Sequence, residues 1–393
     1  MQWFIDIPLL LLLAGYLLNG LRRGFARSLG AIVGVVAGGI AAFYLVPLVG
    51  GFVPDAFWRF LASIGIAIGL LVLGHGLGSS IGNAIAKQFP DGPLRVIDRI
   101  LGAAVNVVLA ALVISLLAAS VAPLGVPLLS QAVGQSTVIS TIDRLTPEPV
   151  QSFVARARSI AVTDTIPSIV GVFGGETEAT ATPDAETQTD VLREAAASVV
   201  KITGNAFECG QSQSGTGFVI AGDRIVTNAH VVAGVSEPVV DVPGGDVLPG
   251  RIVYFDPIDD LAVIAVSGLE AATLDLSPVL AVGDDAVFDG YPFGGPFTTG
   301  PATVMAVGSQ QVDDIYSDTS TARDIYTLAA SIQEGDSGGP LLATDGTVAG
   351  VVFARSAASD TIGYAMTVDE LAPVVTAAPT LTDRVDTGAC ISG

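Results

Sequence analysis

Glu334-Gly335-Asp336-Ser337-Gly338-Gly339-Pro340 and, well upstream, Thr227-Asn228-Ala229-His230-Val231-Val232 are the two runs of this chain whose residue types could do chemistry. A serine hydroxyl becomes a nucleophile when a base takes its proton, an acid holds that base in one tautomer, and backbone N–H groups receive the charge on the attacked oxygen. Gly335 can take backbone angles that a Cβ would forbid, so its N–H and that of Ser337 can face one oxyanion, while Gly338 and Gly339 would admit a substrate backbone closely. His230 is the base almost by elimination. The chain has two histidines, and the other, His75, lies in the apolar run Leu70-Leu71-Val72-Leu73-Gly74-His75. The acid is expected between base and nucleophile, where Asp256-Pro257-Ile258-Asp259-Asp260 leads into Leu261-Ala262-Val263-Ile264. Asp260, at the mouth of that apolar run, is the choice.

Short strands and turns must position these groups. Residues 190–194 open a short helix and Ser198 to Thr203 alternates as a strand; Thr216 to Ile220, a turn at 221–223 and Arg224 to Thr227 read as a hairpin that delivers His230 at its end. Gly-rich turns recur at 243–246, 290–295 and 345–346, and Val368 to Thr376 reads as a helix. Many short strands with regular turns fit two closed barrels, with the reactive groups in the cleft between them.

The motifs Thr-Asn-Ala-His-Val, Asp-Leu-Ala-Val and Gly-Asp-Ser-Gly-Gly-Pro, in the order His, Asp, Ser, resemble the trypsin-like proteases of the chymotrypsin fold, especially the bacterial HtrA/Deg branch. Subtilisin-like enzymes and α/β-hydrolases run in other orders, which also opposes an esterase reading. The resemblance implies an all-β double barrel, peptide-bond hydrolysis by His230, Asp260 and Ser337, and an oxyanion hole from Gly335 and Ser337. It favours Asp260 over Asp259 and Asp256, which then read as solvated turn carboxylates. It also places Ser331 at the base of the primary substrate pocket, with Phe353, Ala354 and Arg355 as a wall and Phe353 limiting its depth. With no carboxylate at that base, uncharged side chains are the expected preference. No Ile-Val-Gly-Gly sequence opens the domain, so the resemblance makes Asp336 a structural loop carboxylate rather than the partner of a new N-terminus.

Charge is not spread evenly along the 393 residues. Residues 1–125 hold seven Lys/Arg and four Asp/Glu, whereas residues 191–393 hold seven and 26, a net −19 within the chain's total of −21. That acidity opposes nucleic acid as a partner and suits a dispersed, water-exposed domain. The N-terminal part instead predicts four membrane-crossing helices at about 3–21, 28–53, 60–84 and 101–125, each near the roughly 20 residues a bilayer requires. The first run lacks a basic start and three more follow it, so no cleaved signal peptide is expected. Arg22, Arg23 and Arg27 follow the first span and Lys87, Arg95 and Arg99 the third, against Arg59 alone on the other side. Basic residues stay on the cytoplasmic side, so both termini and the acidic domain are expected outside the cytoplasmic membrane.

Cys209 and Cys390 are the only cysteines, and both fall in the acidic domain. A lone pair in an exported domain reads as one disulfide, with two unrelated buried thiols as the alternative. Glycines at 30, 34, 38, 39, 65, 69, 74, 76 and 78 recur about every fourth residue in the second and third spans, which suits close helix packing. Asp6 and His75 are the ionisable exceptions and the sole support for a transport role.

Arg22-Arg23-Gly24-Phe25-Ala26-Arg27 together with Ile97-Asp98-Arg99-Ile100-Leu101-Gly102 resembles the CvpA/colicin V production family of four-span membrane proteins. Joined to a trypsin-like domain with a cysteine near either end, the combination resembles the MarP-like family of actinobacterial membrane-anchored periplasmic serine proteases. It implies protein or peptide substrates in the cell envelope and a role in envelope maintenance under acid or oxidative stress. Three segments follow: an all-α four-helix membrane domain at 1–125, a linker at 126–190, and the protease domain at 191–393. The linker's first half, punctuated by prolines, reads as surface or interfacial helices; its acidic, Thr-rich end at 174–190 reads as a flexible tether and a candidate for cleavage by the chain itself. No metal cluster or phosphate-binding loop is visible, so neither metal nor cofactor is expected, and the bilayer is the one non-protein partner. The rival readings are a silent binding module on the same fold and a channel or secretion factor regulated by the protease domain.

Overall fold

The computed structural model describes residues 3–50, 56–88, 92–121, 136–159, 168–169, 183, 185–206, 211–244 and 246–391. The chain divides into two compact units, one of Trp3–Ser115 and one that includes Leu116–Gly393.

The first unit is helical: α1 (Trp3–Arg23), α2 (Phe25–Gly50), α3 (Ala56–Ala86) and α4 (Pro93–Val121). Each holds a stretch long and apolar enough to cross a membrane: Ile5–Arg23, Phe25–Val46, Gly65–Ala86 and Pro93–Ala118. Leu11, Val33, Phe43, Leu73 and Leu117 point outward and are exposed, the reverse of a water-soluble bundle. Part of the glycine stripe does what its spacing implies, since a Cβ on Gly34 or Gly74 would strike the other helix's backbone. Gly65, Gly69 and Gly76 differ: nothing lies within 4 Å of where their Cβ atoms would be. Helix α4 begins well before the expected residue 101, because Arg95, Asp98 and Arg99 lower the apolar signal without opposing helix. Asp98 has a task there: its Oδ1 accepts the Ala26 N–H at 3.0 Å, satisfying a first-turn donor of α2.

The linker yields two helices, α5 (Thr137–Leu145), capped by the Ser136 hydroxyl on the Ile139 N–H, and α6 (Glu148–Ser159). Of the acidic stretch 174–190, residue 183 and residues 185–190 are described; Ala185 packs against the protease core and Thr189 caps the next helix. The remainder of the expected tether lies outside the described residues.

After α7 (Asp190–Ala196), six strands close a barrel in the order β2 (Val199–Ala206), β3 (Gln211–Ala221), β4 (Arg224–Thr227), β7 (Leu261–Val266), β6 (Val247–Asp256) and β5 (Val239–Asp241). Alternation along β2, β4 and β7 sends Ile202, Ile225 and Ile264 into its core. The β3–β4 hairpin turns at Asp223, whose φ is 59°, and β4 pairs β7 antiparallel with Thr227 opposite Ala262. A second sheet runs β12 (Val348–Ser356), β11 (Pro340–Ala343), β8 (Asp285–Gly290), β9 (Thr298–Asp313), β10 (Ser320–Ala329), β13 (Ile362–Thr367), and the β12–β13 pairing returns it on itself. The short linker strand β1 (Ser168–Ile169) lies parallel on its outside against Arg355 and Ser356 of β12. Helix α9 (Val368–Ala377) packs Leu371 and Val374 into the shared core, and the tail then returns to the first barrel, where Gly234 N–H donates to Thr387 O and Val385 N–H to Ile252 O. The expected α-helical and double-barrel classes are both present.

Candidate active site

Strand β4 ends at Thr227, and the single turn α8 (Ala229–Val232) follows at once, which fixes His230 at the rim of the first barrel. Asp260 sits directly before β7, the strand hydrogen-bonded to β4, so the two rims bring base and acid together. Asp260 Oδ2 lies 2.7 Å from His230 Nδ1, and its Oδ1 accepts the His230 backbone N–H at 2.9 Å. Both side chains are buried. Asn228 Nδ2 donates to Asp260 O at 2.9 Å, holding a residue whose φ of 53° a non-glycine rarely adopts. The carboxylate thus positions Nδ1 as a donor and leaves Nε2 for a substrate-side proton. Asp256 ends β6 and Asp259 lies in the turn that follows; Asp256 Oδ1 accepts the Ile258 and Asp259 N–H groups, and neither carboxylate bonds His230 among the described residues.

Ser337 lies in the turn that enters β11, buried at 3% exposure. Neither Ser337 Oγ nor His230 Nε2 has a hydrogen-bond partner among the described residues. Gly335 has φ 93°, and a Cβ there would strike Tyr291 O, so only glycine fits. Phe293 N–H donates to Glu334 O at 2.5 Å. A trans peptide directs its N–H opposite to its C=O, so this bond fixes where Gly335 N–H points. Among the described residues neither the Gly335 nor the Ser337 N–H donates to the protein, which leaves both for an oxyanion.

The sequence reading assigned Gly338 and Gly339 to substrate approach, and the structure gives them another neighbour. A Cβ on Gly338 would meet Thr216 O and Thr227 Oγ1, and one on Gly339 would meet Asp289 O. The two glycines let the Ser337 turn lie against the barrels' own backbone. Asp336 is buried at 1% exposure; its Oδ2 accepts the Gln333 N–H at 2.8 Å and closes the turn. Burial pushes the Asp336 carboxyl up to about 7, and burial does the same for Asp289 on β8.

The expected pocket residues differ in exposure, although Phe353, Ala354 and Arg355 are consecutive on β12. Ser331 is exposed, Arg355 is half-buried and Ala354 is fully buried. Phe353 belongs to the protein core, with the Arg323 guanidinium 5.8 Å from its ring centroid; its ring packs inward rather than limiting a solvent-facing pocket. Cys390 is disulfide-bonded; Cys209, the sequence's other cysteine, lies outside the described residues. Sequence reasoning missed Asn228, Thr216 and Phe293. Thr216 Oγ1 donates to Gly335 O and accepts the Tyr291 N–H, so it ties the Gly335 turn to the first barrel. Asn228 stood inside a quoted motif as a neighbour of the histidine; Thr216 acts through its hydroxyl and Phe293 through its backbone N–H, and neither carries a charge pattern. Arg323, at 1% exposure, was also unforeseen; burial lowers its pKa, and Asp260 is the first of the carboxylates that oppose that fall.

Among the described residues no cluster of three or more His, Cys, Asp or Glu could hold a metal. The arrangement suits acyl transfer: a hydroxyl, an imidazole oriented by a carboxylate, and two open N–H donors.

Comparison with known proteins agrees with both units. Residues 215–351 match the trypsin-like peptidase domain, and residues 5–147 match the colicin V production protein family. The serine protease Rv3671c of Mycobacterium tuberculosis is 33% identical over 396 residues, covering 100% of this chain and 99% of its own. The crystal structure of the active form of that protease covers 57% of this chain and 100% of its own at 37% identity, with a TM-score of 0.53. The putative serine protease HhoA of Synechocystis is 35% identical over 161 residues, 40% of each chain. This chain is a serine protease, a member of the Rv3671c family in which a colicin V production domain precedes a trypsin-like peptidase domain.

Proposed function

We propose that the chain is a membrane-anchored endopeptidase that hydrolyses peptide bonds outside the cytoplasmic membrane through an acyl-enzyme. Ser337 Oγ attacks the scissile carbonyl as His230 Nε2 takes its proton; Asp260 stabilises the imidazolium, and the Gly335 and Ser337 N–H groups receive the oxyanion. His230 then protonates the leaving amine, and water repeats the sequence to release the acid. The observation that carries this reading is the double hold of Asp260 on His230, at Nδ1 and at the backbone N–H. No cofactor takes part.

The four apolar helices support anchoring, and the arginines beside α1 support an extracytoplasmic protease domain. A disulfide between Cys209 and Cys390 suits that compartment. Substrates are envelope proteins or peptides with an uncharged residue at the primary pocket, and the role is envelope maintenance under acid or oxidative stress. The pairing of β1 with Arg355–Ser356 sets linker backbone beside the strand expected to line that pocket, which favours the linker as a substrate of another copy. Peptide hydrolysis by the full-length chain in detergent tests the mechanism. Asp260→Asn lowers kcat by about 10⁴ with little change in KM, and Ser337→Ala abolishes turnover; an Asp260→Asn rate near the unmodified one contradicts it.

A further inference from the structure

We propose that the helical unit carries a binding site for a phosphoryl anion, supplied by an anionic phospholipid headgroup or by free phosphate. A cavity of about 570 Å³ lies among its helices, lined by Tyr16, Asn19 and Arg23 of α1, Arg27 of α2, His75 of α3 and Asn106 of α4. Tyr16, Asn19 and Arg23 are three and four residues apart, so they share one face of α1. Neither Arg23 nor Arg27 forms an ion pair among the described residues. The carboxylate at the same corner, Asp98, is engaged by the Ala26 N–H and does not line the cavity. Each of these unpaired guanidiniums offers the planar fork of N–H donors that binds phosphate oxygens.

The cavity's wall is fixed rather than fluid. Asn106 Nδ2 donates to Ser28 Oγ at 2.7 Å and to Gly102 O at 2.8 Å, and Ser28 Oγ donates to Gly24 O at 2.9 Å. The close approach of Gly34 and Gly74 locks α3 against α2 and sets His75 about 10 Å along the helix axis from Arg27. Polarity is therefore graded: paired cations at the end of the spans, hydrogen-bonding groups further in, and apolar Ile32, Val36 and Leu109 beside them. That order matches an amphiphile whose phosphate stays at the membrane surface while its ester carbonyls lie deeper. Basic pockets between membrane helices bind anionic headgroups for this reason. The channel reading that Asp6 and His75 suggested thus becomes, for His75, a ligand-binding one.

Native mass spectrometry of the full-length chain in detergent, titrated with phosphatidylglycerol or phosphatidylcholine, tests the site. Phosphatidylglycerol is retained at one copy per chain and at least about tenfold more tightly than phosphatidylcholine; the paired substitution Arg23→Gln with Arg27→Gln weakens it about thirtyfold. Arg22→Gln, beside the cavity but not lining it, leaves retention unchanged, and Arg23→Lys with Arg27→Lys keeps the preference for the anionic lipid. If millimolar inorganic phosphate displaces the lipid and raises the unfolding temperature in an arginine-dependent way, the site is upheld with a soluble anion as its source; if it does neither, the lipid is the source. Equal retention of the two lipids with no phosphate effect, or anionic retention unchanged in the Arg→Gln pair, overturns the proposal.

Discussion

At the scale of single residues, the site combines groups legible in sequence with groups that are not. His230, Asp260 and Ser337 are legible because their chemistry needs those side chains in those motifs. Thr216, Phe293 and Asn228 are not, because what they supply is a backbone contact or an ordinary hydrogen bond that composition does not mark. Asp336 stands between: its place before the nucleophile marks it as structural, but its burial is visible only in the fold. Its carboxyl and that of Asp289 are raised by burial from 3.8 to about 7. The folded chain therefore binds more protons than the unfolded chain between those values, and the stability the two groups contribute is full below about pH 4 and is lost as pH rises through about 7. The full-length chain accordingly unfolds several degrees higher at pH 5 than at pH 8, and Asp336→Asn with Asp289→Asn flattens that slope. An unchanged slope in the double variant, read by calorimetry, contradicts the assignment.

Between residue and whole, the linker helix α6 acts on the site through one short turn. Arg156 lies 5.5 Å from the centroid of the Phe293 ring, and α6 packs on Pro292–Gly294, the turn whose Phe293 N–H holds Glu334 O. The Gly335 N–H, proposed as an oxyanion donor, is thus braced by a segment outside the protease domain as the sequence drew it. Losing a cation–π contact of about 1 kcal/mol loosens that brace, so Arg156→Ala in the full-length chain lowers kcat about fivefold while KM stays within twofold; a change confined to KM would place α6 at the substrate instead. Strands and hairpins were legible here because apolar alternation and glycine turns bounded them, β3–β4 above all. The link from α6 to Phe293 was not, since a helix of mixed polarity does not name the turn it packs on.

For the whole molecule, the division into an apolar helical part and an acidic strand-rich part was plain in the charge and hydropathy of the sequence, because bilayer and water select opposite surfaces. How the C-terminal tail secures the first barrel was not plain: Arg384 donates to Ser236 O, Thr387 bonds Gly234 and Val235, and Cys390 is disulfide-bonded. Cys390→Ser releases that end, at a cost of about 2–5 kcal/mol, and lowers the unfolding temperature of the full-length chain by about 5–15 °C; reductant has the same effect on the unmodified protein and none on the variant. The proposed mechanism makes Ser337 a nucleophile activated by His230 within this fold. Fluorophosphonate labelling of the full-length chain in detergent, with Ser337→Ala and His230→Ala beside it, reads out that activation. Stoichiometric labelling that Ser337→Ala abolishes and His230→Ala slows by several orders of magnitude is the predicted result; labelling that survives Ser337→Ala, or no labelling of the unmodified chain, contradicts it.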